Sequence, residues 1–562
     1  MASLVELSAT PLARMEQWRE SDMHVYDEWG RAIAAGDWLS ATVRVPMHSW
    51  HRGVAHQYFE DHPEVRAAIE REAMSQGREP DELLWARWMH LPQFYQDPLY
   101  PYLVGLTYCV AGTKPEYVLG WQALLGVLSI VLVWHLTRRY FGEVAGLVAG
   151  CLAVLGGPLA FYELLLLRDS VIVFTGLLLI WLLDRALARG GWARFAALGF
   201  AVGVACLLKS TFLLVAVVLA VALAVHAGAG WRTAVRPIAA LAAGFAVALA
   251  PLAARNTAVG VPPLSLATSG PLTFLSSNDA RYLPEVGFGI DTPLLARFLG
   301  DTSGGWVPSI TTSLQSHTIA SYGALVWGKW DRVWHWYEIP NNENYYYMAR
   351  QVKMIGRLPV TFGVVAPLAL VGLVLAVRRR RDVWPLYLLA ATALAPMLIF
   401  YVLARFRLPL ETAALPFAAF TVVEIAKWIE ARQFGRSAVA IASLVLIAAW
   451  TGRALAPNQR LIRMADWILP YSVYYQPRIS TAVDAKDWAT AGASYVEFFR
   501  RYEPSDAEIA ASADRTLTTE LADMHVECAQ ILKLSGQSEL ANTELQRADH
   551  LQHLNSFPNP TN

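Results

Sequence analysis

Long apolar runs constrain the fold of this chain more than any other feature of its sequence. Crossing a ~30 Å hydrocarbon core takes about 17–25 apolar residues as a helix. About ten such stretches lie near residues 117–137, 143–161, 170–186, 194–210, 211–228, 235–253, 360–377, 384–403, 408–426 and 437–455. The whole chain of 562 residues is 55% hydrophobic and only 16% charged. The sequence therefore predicts a mainly α-helical polytopic membrane protein, in which residues 211–228 and 194–210 could also form one broken helix.

The basic residues between these runs predict their orientation. Lys+Arg and Asp+Glu both total 46, a balance that gives no reason to expect a nucleic acid or another polyanion as partner. Most basic residues of the short loops fall on one side, which the positive-inside rule assigns to the cytoplasm. The opposite side holds only Arg168, Lys209, Arg405 and Arg407. Residues 1–116, the long loop 254–359 and the tail 457–562 are then expected outside, flanking a membrane core of residues 117–456.

Two aspartates stand out against this background. Asp22 opens a polar, aromatic segment, and residues 22–36 have the pattern of an amphipathic helix. Asp169 interrupts an otherwise apolar run, and ionisable groups at membrane depth usually face a functional cavity. The 13 apolar residues that follow span only ~20 Å of helix, so Asp169 is expected to be recessed below the outer surface. Both acids are predicted on the outer side, although a polar helix boundary is the simpler interpretation of Asp169.

The outer segments carry further candidates for binding. Residues 98–112 and 63–78 are predicted helices, the first at the membrane interface and the second charged. The histidines of residues 40–90 fit no metal-ligand spacing, so solvated side chains are expected rather than a metal site. The loop 254–359 begins with Arg255 in a turn-rich stretch and ends in an aromatic cluster. Such a loop suits a phosphate, a sugar face or a lipid chain, and an aromatic belt at the interface is the alternative.

The tail differs from the rest in composition. Residues 482–551 are charged and helical in pattern, and Leu521–Asp549 resembles one tetratricopeptide unit. One unit cannot form a solenoid, which needs about three repeats, so the hairpin is expected to dock on its neighbours. A protein partner for this tail is a hypothesis. The four cysteines are scattered and form neither a disulfide framework nor a zinc-like motif.

Three motifs, in this order, resemble the polytopic glycosyltransferases of the C-type fold. These include the protein O-mannosyltransferases and the lipid A aminoarabinose transferases. The first motif is Asp22 with Tyr26 four residues later and Asp27 beside it. The second is the stretch QDPLYPY, and the third is YELLLLRD, which ends in Asp169. With the pattern of spans, the resemblance covers roughly residues 20–455.

This resemblance implies an enzyme that moves a hexose or pentose from a polyprenyl phosphate to a hydroxyl group. The transfer would take place on the periplasmic side of a bacterial inner membrane and would invert the anomeric centre. Asp22 and Asp169 would be catalytic, with Asp22 as the base. The residues expected to bind substrate are Tyr26, Asp27, Asp97, Tyr100, Tyr162, Arg168, Lys209, Arg255, Glu338, Arg405 and Arg407. A divalent metal is possible but is not predicted, because fixed cations can take the phosphate charge.

The chain also departs from the family pattern. Family members have a membrane span before the first Asp, so a start upstream of Met1 is expected. Gln96 and Asp97 stand where relatives often carry a positive charge, which Lys209 or Arg255 would then supply. Three other functions remain open: a transporter, a ligase or polymerase of lipid-linked oligosaccharides, and an assembly protein acting through its tail. The identities of the sugar and of the acceptor are open as well.

Overall fold

The computed structural model describes residues 11–42, 46–226, 231–302, 304–510 and 515–556. Within these ranges the chain is built from helices, and its one β-type pairing is an isolated bridge between Gly156 and Val360. The predicted mainly α-helical class is confirmed. Amphipathic helices on the outer segments and apolar helices in the core follow the hydrophobic patterns of the sequence.

The helices of the first half begin before the first span. They are α1 (Asp22–Ala34), α2 (Ser49–Asp61), α3 (Pro63–Gln76), α4 (Pro80–Trp88), α5 (Leu99–Ala111), α6 (Pro115–Phe141), α7 (Glu143–Val154), α8 (Gly157–Tyr162), α9 (Asp169–Arg189), α10 (Trp192–Leu208), α11 (Phe212–His226) and α12 (Trp231–Ala258). The helices predicted over residues 22–36, 63–78 and 98–112 are confirmed as α1, α3 and α5.

The second half starts with the long loop, which is itself largely helical. Its helices are α13 (Ser269–Ser277), α14 (Thr292–Thr302), α15 (Trp306–Gln315), α16 (Ile319–Val333), α17 (Tyr345–Gln351) and α18 (Lys353–Gly356). The remaining helices are α19 (Phe362–Ala376), α20 (Arg380–Ile399), α21 (Ala404–Glu430), α22 (Phe434–Thr451), α23 (Met464–Pro470), α24 (Gln476–Asp484), α25 (Trp488–Tyr502), α26 (Asp506–Ala510), α27 (Arg515–Leu534) and α28 (Ser538–Ser556).

Seven described helices are long and apolar enough to cross a membrane. They are α6, α9, α12 over Ala234–Ala258, α19 extended to Arg379, α20 from Asp382, α21 and α22. The other three predicted spans fall on shorter helices, α7 of 12 residues, α10 of 17 and α11 of 15. These helices are short because the chain leaves the helical conformation at Gly156 and again at Lys209, where the backbone is extended. The structure has one helix on either side of Lys209, and whether the two form a single broken span stays a prediction.

Small residues bring the spans into close contact. A Cβ atom at Gly199 or at Gly244 would overlap a backbone carbonyl of the facing helix, so α10 and α12 pack nearly backbone to backbone. The same holds where Gly372 of α19 meets α21. Close approach of this kind replaces the hydrophobic driving force that helices lack in lipid. It also fixes the ends of these helices, where polar side chains gather.

Glycine residues also allow helix α1 to pack closely against α5. Gly30 faces Val104 and Gly105 faces Ile33, so that a methyl group at either glycine would collide with the partner helix. Asp27 links the pair further, since it accepts a hydrogen bond from the Tyr108 hydroxyl. The start of α1 is thereby fixed relative to the chain that precedes α5.

The chain divides into two compact units. The first comprises Glu20–Tyr345 and Met354–Gln459 and contains all seven spans. The second comprises Arg460–Asn562, Tyr346–Lys353 and the described part of Ala2–Arg19. The core of the second unit is formed by aromatic and aliphatic side chains of α24, α25, α27 and α28. The last two helices form a hairpin that turns at Gly536, which has a positive φ of 81°; its likeness to a tetratricopeptide unit stays a prediction.

Candidate functional site

The site begins at the first residue of α1. Asp22 follows the N-cap Ser21, whose side chain accepts a hydrogen bond from the His24 backbone N–H at 3.2 Å. One carboxylate oxygen of Asp22 accepts from the Arg405 guanidinium at 2.7 Å. The other accepts from the side-chain amide of Gln96 at 3.1 Å. A helix N-terminus favours a carboxylate electrostatically, so the local fold and the ion pair stabilise the same charge.

The charge state of Asp22 follows from these contacts. Burial alone would raise the pKa of the Asp22 carboxyl, because desolvation disfavours the charged form. The guanidinium of Arg405 opposes this, with help from His48 and the hydrogen bond of Gln96. The net effect holds the pKa of Asp22 well below its usual value. Asp22 is therefore an anion at neutral pH.

A second buried ion pair lies one residue along from Gln96. Asp97 accepts from the Arg168 guanidinium at 2.9 Å and from the backbone N–H of Ser210 at 3.1 Å. The same Arg168 nitrogen also donates to the carbonyl of Leu208 at 3.2 Å. Burial raises the pKa of Asp97, while Arg168 and the hydrogen bonds from Ser210 oppose the rise. This pair ties the start of α9 to the break between α10 and α11.

Lys209 and Arg405 connect the two pairs. The Lys209 ammonium lies 4.1 Å from the ring centre of Phe406, and the Arg405 guanidinium carbon lies 5.1 Å from the same ring. Arg405 binds Asp22, Gln96 joins Asp22 to its chain neighbour Asp97, and Asp97 binds Arg168 and the backbone N–H of Ser210, the residue after Lys209. We call the charged residues joined in this way the charge ring; they are Asp22, Asp97, Arg168, Lys209 and Arg405, together with Asp169 beside Arg168. Among the described residues Lys209 has no carboxylate within ion-pair distance. It is thus a cation that the fold leaves available for a ligand.

Asp169 belongs to the same cluster. It is the first residue of α9, directly after Arg168, and only 4% of its surface is exposed. The charges of Arg405, Lys209 and Arg168 all act on its carboxylate. Within the described part of the chain no hydrogen bond or ion pair of its side chain is present. The structure thus brings together Asp22, Asp97, Arg168, Asp169, Lys209 and Arg405.

Two buried tyrosines, Tyr26 and Tyr100, lie beside this cluster. Tyr26 is buried with its ring edge-on to Tyr100, at 4.9 Å between ring centres. The Tyr100 hydroxyl donates to Gln122 at 2.5 Å, and Gln122 donates to the carbonyl of Leu165 at 2.9 Å. Burial raises the pKa of Tyr26 above its usual value, with Asp22 adding to the rise and Arg168 opposing it. Tyr100 is consequently committed to packing and to positioning the chain before Arg168.

Four other predicted residues are engaged elsewhere. Arg407 donates to Glu338 at 2.6 Å and to the carbonyls of His335 at 2.7 Å and Tyr337 at 3.1 Å, so Arg407 and Glu338 hold the end of α16. Asp27 binds Tyr108 and accepts from Arg31 at 2.7 Å.

Arg255 has a similar anchoring function. Its guanidinium donates to the carbonyls of Leu39 at 2.7 Å, Ser40 at 2.8 Å and Pro92 at 3.0 Å. It also stacks over Phe94, at 3.9 Å from the ring centre. With these contacts Arg255 fixes two loop segments beside α1, and Lys209 rather than Arg255 lies in the charge ring.

Glu343 is the site residue that sequence reasoning missed. It is only 2% exposed, and its carboxyl is within reach of the charges of Arg405, Asp22 and Asp169. Tyr162, which is also buried, faces Glu343 and Asp169. The one signal in the sequence was an acid within the aromatic end of the long loop.

One histidine near α2 differs from the expectation of solvated side chains, whereas His56 and His90 are exposed as expected. His51 is 1% exposed, stacks on Trp50 at 3.6 Å between ring centres, and shares a hydrogen bond of 3.1 Å with the Tyr95 hydroxyl. That expectation was wrong for His51, because aromatic neighbours from distant segments cover it. Over the described residues no group of three or more His, Cys, Asp or Glu side chains is close enough to hold a metal ion.

Comparisons with known proteins bear on the same region. Residues 95–254 match the family model of dolichyl-phosphate-mannose-protein mannosyltransferases. No curated protein sequence gives a significant match to the chain. One similar solved structure is the archaeal oligosaccharyltransferase AglB from Archaeoglobus fulgidus, in complex with an inhibitory peptide and a dolichol-phosphate, at 16% identity and a TM-score of 0.35. That match covers 86% of this chain, and the chain spans 60% of the length of AglB.

A second similar structure is ArnT from Cupriavidus metallidurans in the apo state, at 15% identity and a TM-score of 0.25. That match covers 73% of this chain and 80% of ArnT. The family-model match is the informative one, because it contains Asp97, Arg168, Asp169 and Lys209. This match confirms the predicted resemblance to the protein O-mannosyltransferases over residues 95–254.

Proposed function

We propose that this protein is a membrane glycosyltransferase that moves one sugar from a polyprenyl phosphate to a hydroxyl group. The charge ring is the observation that carries the proposal. It gathers three cations and three carboxylates in one largely buried cluster, where an unpaired charge is costly. The family-model match over residues 95–254 supports the same reaction class. The sugar and the acceptor are defined here only by this chemistry.

The cations suit the phosphate of the donor. In the transfer, the bond between the anomeric carbon and the phosphate oxygen breaks, and the acceptor oxygen forms the new bond to that carbon. The phosphodiester monoanion thereby becomes a phosphate monoester with a second negative charge. Lys209 has no carboxylate partner in the described chain, and Arg405 has an Nε atom that is buried without a hydrogen-bond partner. Fixed cations aimed at a developing charge are an effective form of catalysis.

Asp22 is our choice for the base that takes the proton of the acceptor hydroxyl. It is ionised and buried, and it shares Arg405 with the proposed phosphate position. Arg405 can keep Asp22 on one nitrogen while Nε binds the phosphate. Attack from the side opposite the departing phosphate inverts the anomeric centre. Asp169, which lies at the same cluster without a hydrogen bond within the described residues, would orient the acceptor or the sugar.

A cavity beside the charge ring suits the chain of the lipid. It has a volume of about 750 Å³, and Ser210 and Thr211, directly after Lys209, are among the residues that line it. Leu214 of α11 and Ile399 of α20 contribute apolar walls, and Phe400 borders it at the end of α20. An isoprenoid chain in this cavity would leave its phosphate next to Lys209. Replacing Leu214 with Trp is then expected to weaken the use of long-chain donors more than that of short-chain ones.

The experiment uses the purified protein in vesicles with a panel of labelled polyprenyl-phosphate sugars. One member of the panel should lose its label to a hydroxyl-bearing acceptor, and the Asp22→Asn variant should lose this transfer. Asp382→Asn, which removes an exposed acid at the other end of α20, serves as matched control. Label transfer by Asp22→Asn at the wild-type rate would eliminate Asp22 as base. Absence of transfer from every member of the panel would eliminate the proposed reaction.

We also propose that the site faces the outside of a bacterial inner membrane. The basic loops on the opposite side support this orientation through the positive-inside rule. Glu28 of α1 is exposed and can be replaced with Cys in a background without the native cysteines. A membrane-impermeant thiol reagent should label it in intact spheroplasts. Labelling only after lysis would reverse the orientation.

A further inference from the structure

Glu343 is a buried carboxyl group that the mechanism above does not use. It lies in the connection between α16 and α17, and 2% of its surface is exposed. Its Oε1 atom is buried and has no hydrogen-bond partner among the described residues. More than about 90% of buried polar groups in proteins have a partner, so each exception calls for an explanation. A ligand that supplies the missing partner is one explanation.

The groups that face Glu343 come from four helices. They are Asp22 of α1, Tyr162 of α8, Asp169 of α9 and Arg405 of α21. Burial raises the pKa of Glu343 to about 8, while Arg405 opposes the rise and the two aspartates add to it. Below that pH the carboxyl is protonated and can donate one hydrogen bond as well as accept one. A hydroxyl group also donates and accepts hydrogen bonds, so a protonated carboxyl can pair with it in both directions.

Two neighbours in the same segment add atoms that have no hydrogen-bond partner among the described residues. They are the side-chain oxygen of Asn341 and the side-chain nitrogen of Asn342, both buried. Within the described chain, the hydroxyl of Ser170, next to Asp169, and the side-chain oxygen of Gln96, whose amide donates to Asp22, also lack a partner. Donors and acceptors are both represented in this set. Such a mixture is suited to a molecule with several hydroxyl groups and not to an apolar chain.

We infer that Glu343 enters the reaction as a neutral carboxylic acid that hydrogen-bonds a hydroxyl group of the substrate, and thereby helps to determine specificity. This inference rests on the proposed glycosyl transfer. A third fixed anion beside Asp22 and Asp169 would repel the donor phosphate, whereas a neutral carboxyl does not. The hydroxyl group can belong to the transferred sugar or to the acceptor, and the binding experiment below distinguishes the two.

The protonation of Glu343 can be tested without turnover. Infrared difference spectra between the wild type and Glu343→Gln isolate the carbonyl band of this one protonated carboxyl. We expect the band near neutral pH and its loss as the pH rises through about 8. Glu28→Gln, at an exposed position, serves as the matched control. A wild-type spectrum that lacks the Glu343 band at neutral pH would overturn the inference, whatever reaction the protein catalyses.

Recognition of a hydroxyl is tested by binding. Thermal stabilisation by a polyprenyl-phosphate sugar is compared with that by the same polyprenyl phosphate without sugar, for the wild type, Glu343→Gln and Glu343→Ala. A sugar contact predicts that the wild type and Glu343→Gln bind the sugar-bearing lipid more tightly, and that Glu343→Ala loses the difference. If donor preference is unchanged but KM for the acceptor rises at least tenfold in Glu343→Ala, the hydroxyl belongs to the acceptor.

The pH profile of transfer provides the third test. Wild-type transfer should fall as the pH rises through about 8, because Glu343 then becomes an anion. Glu343→Gln keeps a neutral donor at this position and should reduce this fall to the part that comes from Lys209, whose pKa is lowered by burial to about 8. A fall of the same size in Glu343→Gln, or full activity of Glu343→Ala with unchanged KM for both substrates, would overturn the role of Glu343. The label-transfer panel with wild-type protein tests the reaction itself separately.

Discussion

Replacing Arg405 with Gln should convert a pH-independent step into a pH-dependent one. Arg405 and Asp22 are 2.7 Å apart, and their side chains are only 14% and 12% exposed, so that water screens them weakly. Two unit charges ~4 Å apart attract each other by roughly 4 kcal/mol at an effective dielectric constant of about 20. At about 1.4 kcal/mol per factor of ten, this is nearly a thousandfold in the affinity of Asp22 for a proton.

The sign of the effect follows from the role of Asp22. Loss of the guanidinium removes the main influence that lowers the pKa of Asp22, while burial continues to raise it. A base must be ionised to accept a proton, so activity in Arg405→Gln should be lost as the pH falls through the raised pKa. The wild type, whose Asp22 stays ionised, should show no such loss near neutral pH. The variant rate should change about tenfold per pH unit below that pKa.

The assay is label transfer in vesicles between about pH 5 and pH 8, in a Glu343→Gln background, so that the titration of Glu343 does not contribute. Arg405→Lys keeps a cation and should largely restore the flat profile. Arg436→Gln removes an exposed cation from the opposite loops and controls for loss of charge as such. A low but pH-independent rate in Arg405→Gln would refute the reasoning. Arg405 would then act on the phosphate alone, and Asp22 would not be the base.

Three further outcomes test the fold and the charge ring. Replacing Asp97 with Ala should lower the free energy of unfolding in detergent by about 3 kcal/mol, because the largely buried Arg168 loses its carboxylate partner. The Asp97→Ala/Arg168→Ala variant should lose less than the sum of the two single changes. Gly372→Ala should destabilise the protein by about 1–3 kcal/mol through overlap with the backbone of α21, while Gly120→Ala, in open space, should not. Lys209→Gln should raise KM for the lipid-linked donor at unchanged melting temperature; an unchanged KM would exclude Lys209 from the phosphate site.

Much of the fold could be predicted because lipid simplifies the problem. Every long apolar run had to be a helix, since the bilayer offers no partners for an open backbone. The number of full-length spans was less predictable. A helix must be long enough to cross the membrane. The helices α7 and α10 are shorter because Gly156 and Lys209 interrupt the apolar pattern. Composition alone does not say whether the chain turns at such a residue or continues through it.

The candidate site could be predicted only in part, because the sequence does not show which partner each charged side chain meets. Arg405 and Arg407 are two residues apart on one helix, and the sequence predicted both to bind substrate, with Arg407 behind Arg405. In the structure Arg405 binds Asp22, whereas Arg407 is surrounded by backbone carbonyls and Glu338. Sequence shows that an arginine is near the outer end of a span but not which partner its guanidinium meets. Glu343 went unnoticed because its burial depends on four helices far away in the chain.

The charge balance of the site explains why its parts belong together. The charge ring has three cations, Arg168, Lys209 and Arg405, and three carboxylates, Asp22, Asp97 and Asp169. With Glu343 protonated, the net charge of the site without substrate is zero. A bound phosphodiester adds one negative charge, and its departure as a monoester adds a second. Because the acceptor proton neutralises Asp22 in the same reaction, the total charge of the buried site does not change during transfer. Moving charge within a site of low dielectric constant costs less than creating it there. An ionised Glu343 would add a further negative charge at every stage. The charge balance therefore requires Glu343 to be protonated when Asp22 acts as the base.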